Sequence, residues 1–140
     1  MPLGPSSVRG YFVSMVLVVD DDPSTRLVLR MILETAGHVV VEAEHGEAAL
    51  ACISPTPPDI VTTDLTMPVL GGKELIERLR SQPATALIPI VVVSGSPADA
   101  RALHAAGLVE AFLSKPFDAA DLVKCIAAVA TRFAALGPAA

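Results

Sequence analysis

The sequence predicts an α/β protein: a doubly wound, five-stranded parallel sheet with helices on both faces. Three observations carry this expectation. Short β-branched runs alternate five times with longer Ala- and Leu-rich segments. Runs such as Ile90-Val91-Val92-Val93 are apolar throughout, as in strands buried on both faces. The helical segments carry one-sided stripes: Leu29, Ile32, Leu33 and Ala36 in the first, Leu122, Ile126, Val129 and Phe133 in the last. Such a βα rhythm folds as a parallel sheet covered on both sides.

Residues 1–14, containing MPLGPSSVRG, are rich in Pro, Gly and Ser and show no periodicity. They are expected to be a flexible leader, with Met15 the native start. The first strand is predicted over Met15–Asp20 and the first helix over Ser24–Ala36. Gly37 follows that helix where a left-handed cap is expected. Val39–Ala43 and Gly46–Ile53 form the next strand and helix, then Ile60–Thr63 and Gly72–Ser81. Ile88–Val93 is the fourth strand, and Pro97–Ala106 is a helix closed by Gly107. Ala111–Ser114 and Ala119–Leu136 complete a single domain over 15–136, leaving a tail at 137–140.

Composition narrows the function classes. With 140 residues, no Trp, one Tyr and four Phe, the core must be made of Ala, Val and Leu. A net charge of −5 argues against a nucleic-acid surface, which needs clustered Lys and Arg. Cys52 and Cys125 fall in separate helices without metal-ligand spacing, so free thiols in a reducing cytoplasm are expected. No apolar stretch approaches the roughly 20 residues of a membrane span. The first fifteen residues lack the long apolar region of a secretory signal.

In a doubly wound sheet the functional site lies at the C-terminal strand ends. Asp20, Asp21 and Asp22 end the first strand, Asp64 the third, Ser94 the fourth and Lys115 the fifth. Taken singly, each has a plainer reading. Asp22 or Ser24 caps the first helix, Asp64 is a turn residue, Ser94 caps a helix entry, and Lys115 is a solvated charge. Taken together, four strand ends delivering acids, a hydroxyl and a lysine to one rim make coincidence a poor account. Adjacent carboxylates at a strand end repel one another and lose solvation, and Mg²⁺ is suited to relieve both.

The chain resembles the receiver domain of the two-component response-regulator family, of the single-domain, chemotaxis-regulator type. The resemblance spans about Met15 to Leu136. It is carried by Val18-Val19-Asp20-Asp21-Asp22, Thr63-Asp64-Leu65-Thr66-Met67-Pro68, Val93-Ser94-Gly95 and Lys115-Pro116-Phe117. It implies the flavodoxin-like fold of that family and a signalling switch rather than an enzyme. A histidine kinase or histidine phosphotransfer protein would supply a phosphoryl group to Asp64, followed by slow autodephosphorylation. It also implies Mg²⁺ held by Asp20, Asp21, Asp64 and the backbone carbonyl of Thr66, Asp21 directly and Asp20 through water. Lys115 and Ser94 would bind phosphoryl oxygens, and Ser94 with Phe112 would form the switch. The implied partners are the kinase and a downstream target protein, with no nucleic acid and no membrane, the chain being a monomer or weak dimer. The Lys115–Pro116 bond is implied to be cis.

The chemistry suits these residue types. Phosphoryl transfer spreads charge over three equatorial oxygens, so catalysis is positioning plus neutralisation. A carboxylate nucleophile gives an acyl phosphate. Two positions depart from the family pattern. Val69-Leu70-Gly71-Gly72 lacks the Asp or Asn often found before the loop glycine, which bears on loop flexibility, and Phe112 lacks the hydroxyl of a tyrosine. His38, His45 and His104 share no ligand spacing and are read as solvated surface residues; Asp118 is read as the cap of the last helix.

Two other function classes compete with this one. A degenerate receiver, acting as a phosphorylation-independent interaction module, would normally have lost one of Asp20, Asp21, Asp64, Ser94 or Lys115. A haloacid-dehalogenase-type phosphatase wants Asp-x-Asp-x-Thr/Val after its first strand, and Pro23 breaks that pattern. A flavodoxin needs a Ser/Thr-rich phosphate loop and stacking aromatics, and the chain has neither.

Overall fold

Seven strands and five helices alternate along the chain in the computed structural model, which describes residues 6–8 and 11–135. The strands are β1 (Ser6–Val8), β2 (Tyr11–Val13), β3 (Met15–Val19), β4 (Val39–Ala43), β5 (Ile60–Thr63), β6 (Ile90–Ser94) and β7 (Ala111–Ser114). The helices are α1 (Pro23–Thr35), α2 (Gly46–Ile53), α3 (Gly72–Ser81), α4 (Pro97–Ala105) and α5 (Ala119–Ala135). Five strands form one parallel sheet in the order β4-β3-β5-β6-β7. The order reverses at β3, so the switch point lies between β3 and β5, whose C-terminal ends carry Asp20 and Asp64.

Alternation along the strands sorts side chains into two cores. Leu17, Val19, Val61, Ile90 and Val92 face α2, α3 and α4 through Ala49, Ile53, Leu75, Ile76, Leu79, Ala100 and Leu103. Val16, Val18, Val40, Ile60, Val91 and Val93 face α1 and α5 through Leu29, Leu33, Leu122, Ile126, Val129 and Ala130. Of the expected stripes, Ile32, Ala36 and Phe133 lie at half-buried margins. Burying branched aliphatics on both faces is the main stabilising term, at about 25 cal/mol per Å².

The differences from expectation have local causes. The fourth strand begins at Ile90 rather than Ile88 because Pro89 has no N–H for the ladder and the Ile88 N–H turns to Thr85 O. Within the expected leader, β1 and β2 pair antiparallel, Val8 opposite Tyr11, and β2 packs against α5. Val8 and Tyr11-Phe12-Val13 are the β-branched and aromatic types that favour extended backbone, a signal that the Pro/Gly/Ser-rich surroundings hide. Residues 1–5, 9–10, 136 and the expected tail at 137–140 lie outside the described residues.

Two of the three histidines are not solvated surface residues. His38 is buried, and its Nδ1 accepts the Ser14 N–H at 3.1 Å. His45 is the N-cap of α2, its Nδ1 accepting the Ala48 N–H at 3.1 Å. His104 is exposed and packs edge-on to Phe112, ring centroids 5.6 Å apart. Cys52 and Cys125 are free and half-buried.

Candidate functional site

The three consecutive aspartates divide their labour. Asp20 is 1% exposed, continuing β3 with its N–H on Ala43 O at 3.1 Å. Its Oδ1 accepts the Asp22 N–H at 2.9 Å and its Oδ2 accepts Lys115 Nζ at 2.7 Å. Asp21 is exposed at the rim. Asp22 is the N-cap of α1, accepting from Ser24 N at 3.2 Å and from Thr25 Oγ1 at 2.7 Å. Those bonds, the Thr25 hydroxyl first, hold its carboxyl below the usual carboxylate range. The plain capping reading therefore holds for Asp22, while Asp20 and Asp21 are free for the rim.

Asp64 follows β5, one strand away from Asp20. Its Oδ1 accepts the Leu65 N–H at 2.7 Å and its Oδ2 lies 3.2 Å from Lys115 Nζ. One oxygen from each of Asp20, Asp21 and Asp64 lies within 4.8 Å of the others. Three hard carboxylate oxygens at this spacing fit a small divalent cation such as Mg²⁺. Lys115 is delivered by the end of β7 next to a cis Lys115–Pro116 bond. Burial by itself would lower its pKa, but the hydrogen bond and charge of Asp20, then those of Asp64, outweigh it and the net shift is upward. The ammonium thus stays charged at neutral pH and bridges two of the acids. Its bond to Asp20 was not legible in the sequence, where Lys115 faced only the incoming group.

Ser94 ends β6, buried, with its Oγ accepting the Ser96 N–H at 3.0 Å. Val92 pairs with Phe112 and Ser94 with Ser114, so Ser94 and Phe112 project from the same face of adjacent strands. Phe112 is half-buried rather than buried, between His104 and the Arg101 guanidinium 6.0 Å from its ring centre. Thr66 is exposed in the turn after β5. That turn is tighter than its glycines suggest: a Cβ on Gly72 would sit 1.9 Å from the Asp64 carbonyl oxygen. Gly72 is thus required for close approach to the acid-bearing strand end rather than for flexibility. Asp118 precedes α5, its carbonyl accepting the Leu122 N–H.

The family model for the response regulator receiver domain matches residues 16–127. The chain belongs to the response regulator receiver family. Protein PilH of Pseudomonas aeruginosa is 31% identical over 118 residues, which cover 84% of this chain and 98% of that protein. The chemotaxis protein CheY4 of Vibrio cholerae superposes with a TM-score of 0.76 at 32% identity, covering 84% of this chain and 98% of that one. The gliding motility regulatory protein of Myxococcus xanthus is 40% identical over 102 residues, 71% of this chain but only 13% of that protein. Receiver sequences thus occur both as near-complete small proteins and as short parts of long ones. Receiver domains act as signalling switches, with phosphorylation and an acidic Mg²⁺ pocket as family features. No helix among the described residues is long and apolar enough to cross a membrane.

Proposed function

We propose that this receiver domain accepts a phosphoryl group on Asp64 from a histidine kinase or histidine phosphotransfer protein and switches the binding of a target protein. The observation that carries the reading is the meeting of the Asp20, Asp21 and Asp64 carboxylates within 4.8 Å, with Lys115 bridging Asp20 and Asp64. Asp20, Asp21, Asp64 and the Thr66 carbonyl would hold Mg²⁺. The cation supplies neutralisation of phosphoryl oxygens beside three acids.

The chain's own residues do the rest. The Asp64 carboxylate attacks phosphorus, an O–P bond forms, and the bond to the donor nitrogen breaks. Lys115 is free to pair with a phosphoryl oxygen as its hold on Asp64 is replaced. Ser94 leaves the Ser96 N–H for another phosphoryl oxygen, and Phe112 repacks into the space behind it, a choice between two packings that phosphate biases. Exposed Val28 on α1 lines one groove with Pro116, Phe117 and Ala119, and exposed Met31 lines the next with Ala119, an apolar surface near the acids on which a phosphodonor protein can dock. The site of action is cytoplasmic, as a monomer or weak dimer.

Intact mass after incubation with Mg²⁺ and a small-molecule phosphodonor tests this. Wild type should gain one phosphoryl group, and Asp64→Asn, which keeps the shape without the anionic nucleophile, should gain none. A wild type that takes no phosphate, or an Asp64→Asn chain that still does, defeats the assignment.

A further inference from the structure

Asp20 is held at four points, one of them its own carbonyl. Besides Ala43, Asp22 and Lys115, the Arg26 guanidinium engages it, Nη1 donating to the Asp20 carbonyl at 2.7 Å. That carbonyl belongs to the peptide unit joining Asp20 to Asp21. Among the described residues no hydrogen bond reaches the exposed Asp21 carboxylate, so the backbone alone anchors the point from which it projects. Whatever fixes the Asp20–Asp21 peptide also fixes where the Asp21 side chain leaves the main chain.

Arg26 is itself pinned. Its Nε donates to Glu42 Oε1 at 3.0 Å, the other Glu42 oxygen accepts Arg30 Nε at 2.5 Å, and Arg30 Nη1 reaches Glu34 at 3.0 Å. Opposite charges alternate from Asp20 outward along α1 and β4. The Arg26 side chain is only 18% exposed, unlike a surface ion pair that is screened and mobile.

We propose that Arg26 is a positioning residue for the metal-binding acids, fixing the Asp20–Asp21 peptide and through it the Asp21 carboxylate. The proposal rests on the metal-binding reading above and deepens it. Its sign separates positioning from charge. As a bare charge beside the site, a guanidinium repels a divalent cation, so removing it would tighten binding. As a positioning group, its loss lets the acid pair wander and weakens binding, on the order of tenfold for supporting contacts of this kind.

The test is a Mn²⁺ titration of the full chain, followed by the electron paramagnetic resonance of the free ion, with circular dichroism recorded on each variant. Arg26→Gln should weaken binding about tenfold at an unchanged dichroism spectrum. Arg26→Lys keeps the charge but cannot span Asp20 and Glu42 together, so it should be weakened too. Glu42→Gln, which unpins Arg26 without removing it, should lose less. Wild-type binding with equal or tighter binding by Arg26→Gln overturns the proposal while leaving the metal site standing. Should Arg26→Gln fail to fold, unchanged affinity in Glu42→Gln overturns it instead. A wild type that binds no Mn²⁺ overturns the metal-site reading and this proposal with it.

Discussion

At the N-terminal ends of β6 and β7, Arg80 faces Glu110; at the C-terminal ends of β3, β5 and β7, Lys115 faces Asp20 and Asp64. The first pair is closed. Arg80 donates to Leu108 O, Ala86 O, Ile88 O and Glu110 Oε1 at 2.7–3.0 Å, and Glu110 also takes the Ile90 N–H at 2.6 Å. One cation meets one anion, and the guanidinium ties three loop carbonyls to the sheet. At the opposite rim one ammonium reaches two of three clustered carboxylates, and among the described residues no hydrogen bond reaches the third, Asp21. The same side-chain chemistry serves as a clamp where it is satisfied and as a receptor where it is left short of positive charge.

Removing charge should therefore have opposite signs at the two rims. Arg80→Ala strands Glu110 and three carbonyls, and urea unfolding should show a loss of about 3 kcal/mol with no change in Mg²⁺ binding. Asp21→Asn should instead raise metal-free stability by about 0.5 kcal/mol, by relieving like-charge repulsion, and abolish Mg²⁺ binding. If Asp21→Asn lowers the metal-free stability, the C-terminal rim is not charge-frustrated and the contrast fails.

Backbone strain divides in the same way. Positive φ at the N-terminal side is taken by glycines, Gly37 at 99° after α1 and Gly107 at 77° after α4. Beside the acids it falls on Val69, a β-branched residue at φ 69°, in a tight turn closed by Leu70 N to Pro68 O at 2.8 Å. Left-handed backbone costs a residue of this kind about 1–2 kcal/mol. Val69 is 75% exposed, so replacing it forfeits little packing. Val69→Gly, which has no Cβ to clash at positive φ, should stabilise the protein by about 0.5 kcal/mol in urea. A destabilised variant would mean that the turn carries no strain for Gly to release.

Strand ends were legible because β-branched runs mark both the buried strands and the residue at which each stops. That placed Asp20, Asp64, Ser94 and Lys115 on one rim. Contacts that cross between elements were not legible. Arg26 reaches back from the first turns of α1 to a strand-end carbonyl, and Lys115 chooses Asp20, through side-chain directions that periodicity does not encode. The Val69–Gly72 segment reads only as a departure bearing on loop flexibility, whereas the constraint on Gly72 comes from the Asp64 carbonyl. His38 and His45 read as solvated because they sit at element boundaries. Boundaries are also where an imidazole nitrogen can replace a missing backbone acceptor.

His38 supplies the smallest and most specific test of the contrast. It joins the N-terminal ends of β3 and β4, taking the Ser14 N–H on Nδ1 while Val39 N donates to Ser14 O. Next to it the Met15 N–H is taken by Asp59. An Nδ1 that accepts cannot carry a proton, and burial holds the His38 pKa below its ordinary value of 6.5. The unfolded chain therefore binds a proton more readily than the folded one. Stability from this group is full above about pH 6.5 and is lost as pH falls from there through the lowered folded value. His38→Asn offers an amide oxygen in place of Nδ1 and does not titrate. Between pH 7 and 5, wild-type Tm should fall more steeply than that of His38→Asn, with the curves converging in slope above pH 7. Parallel curves throughout would show that His38 is protonated as easily folded as unfolded, and that this corner of the N-terminal rim is not closed by a neutral imidazole.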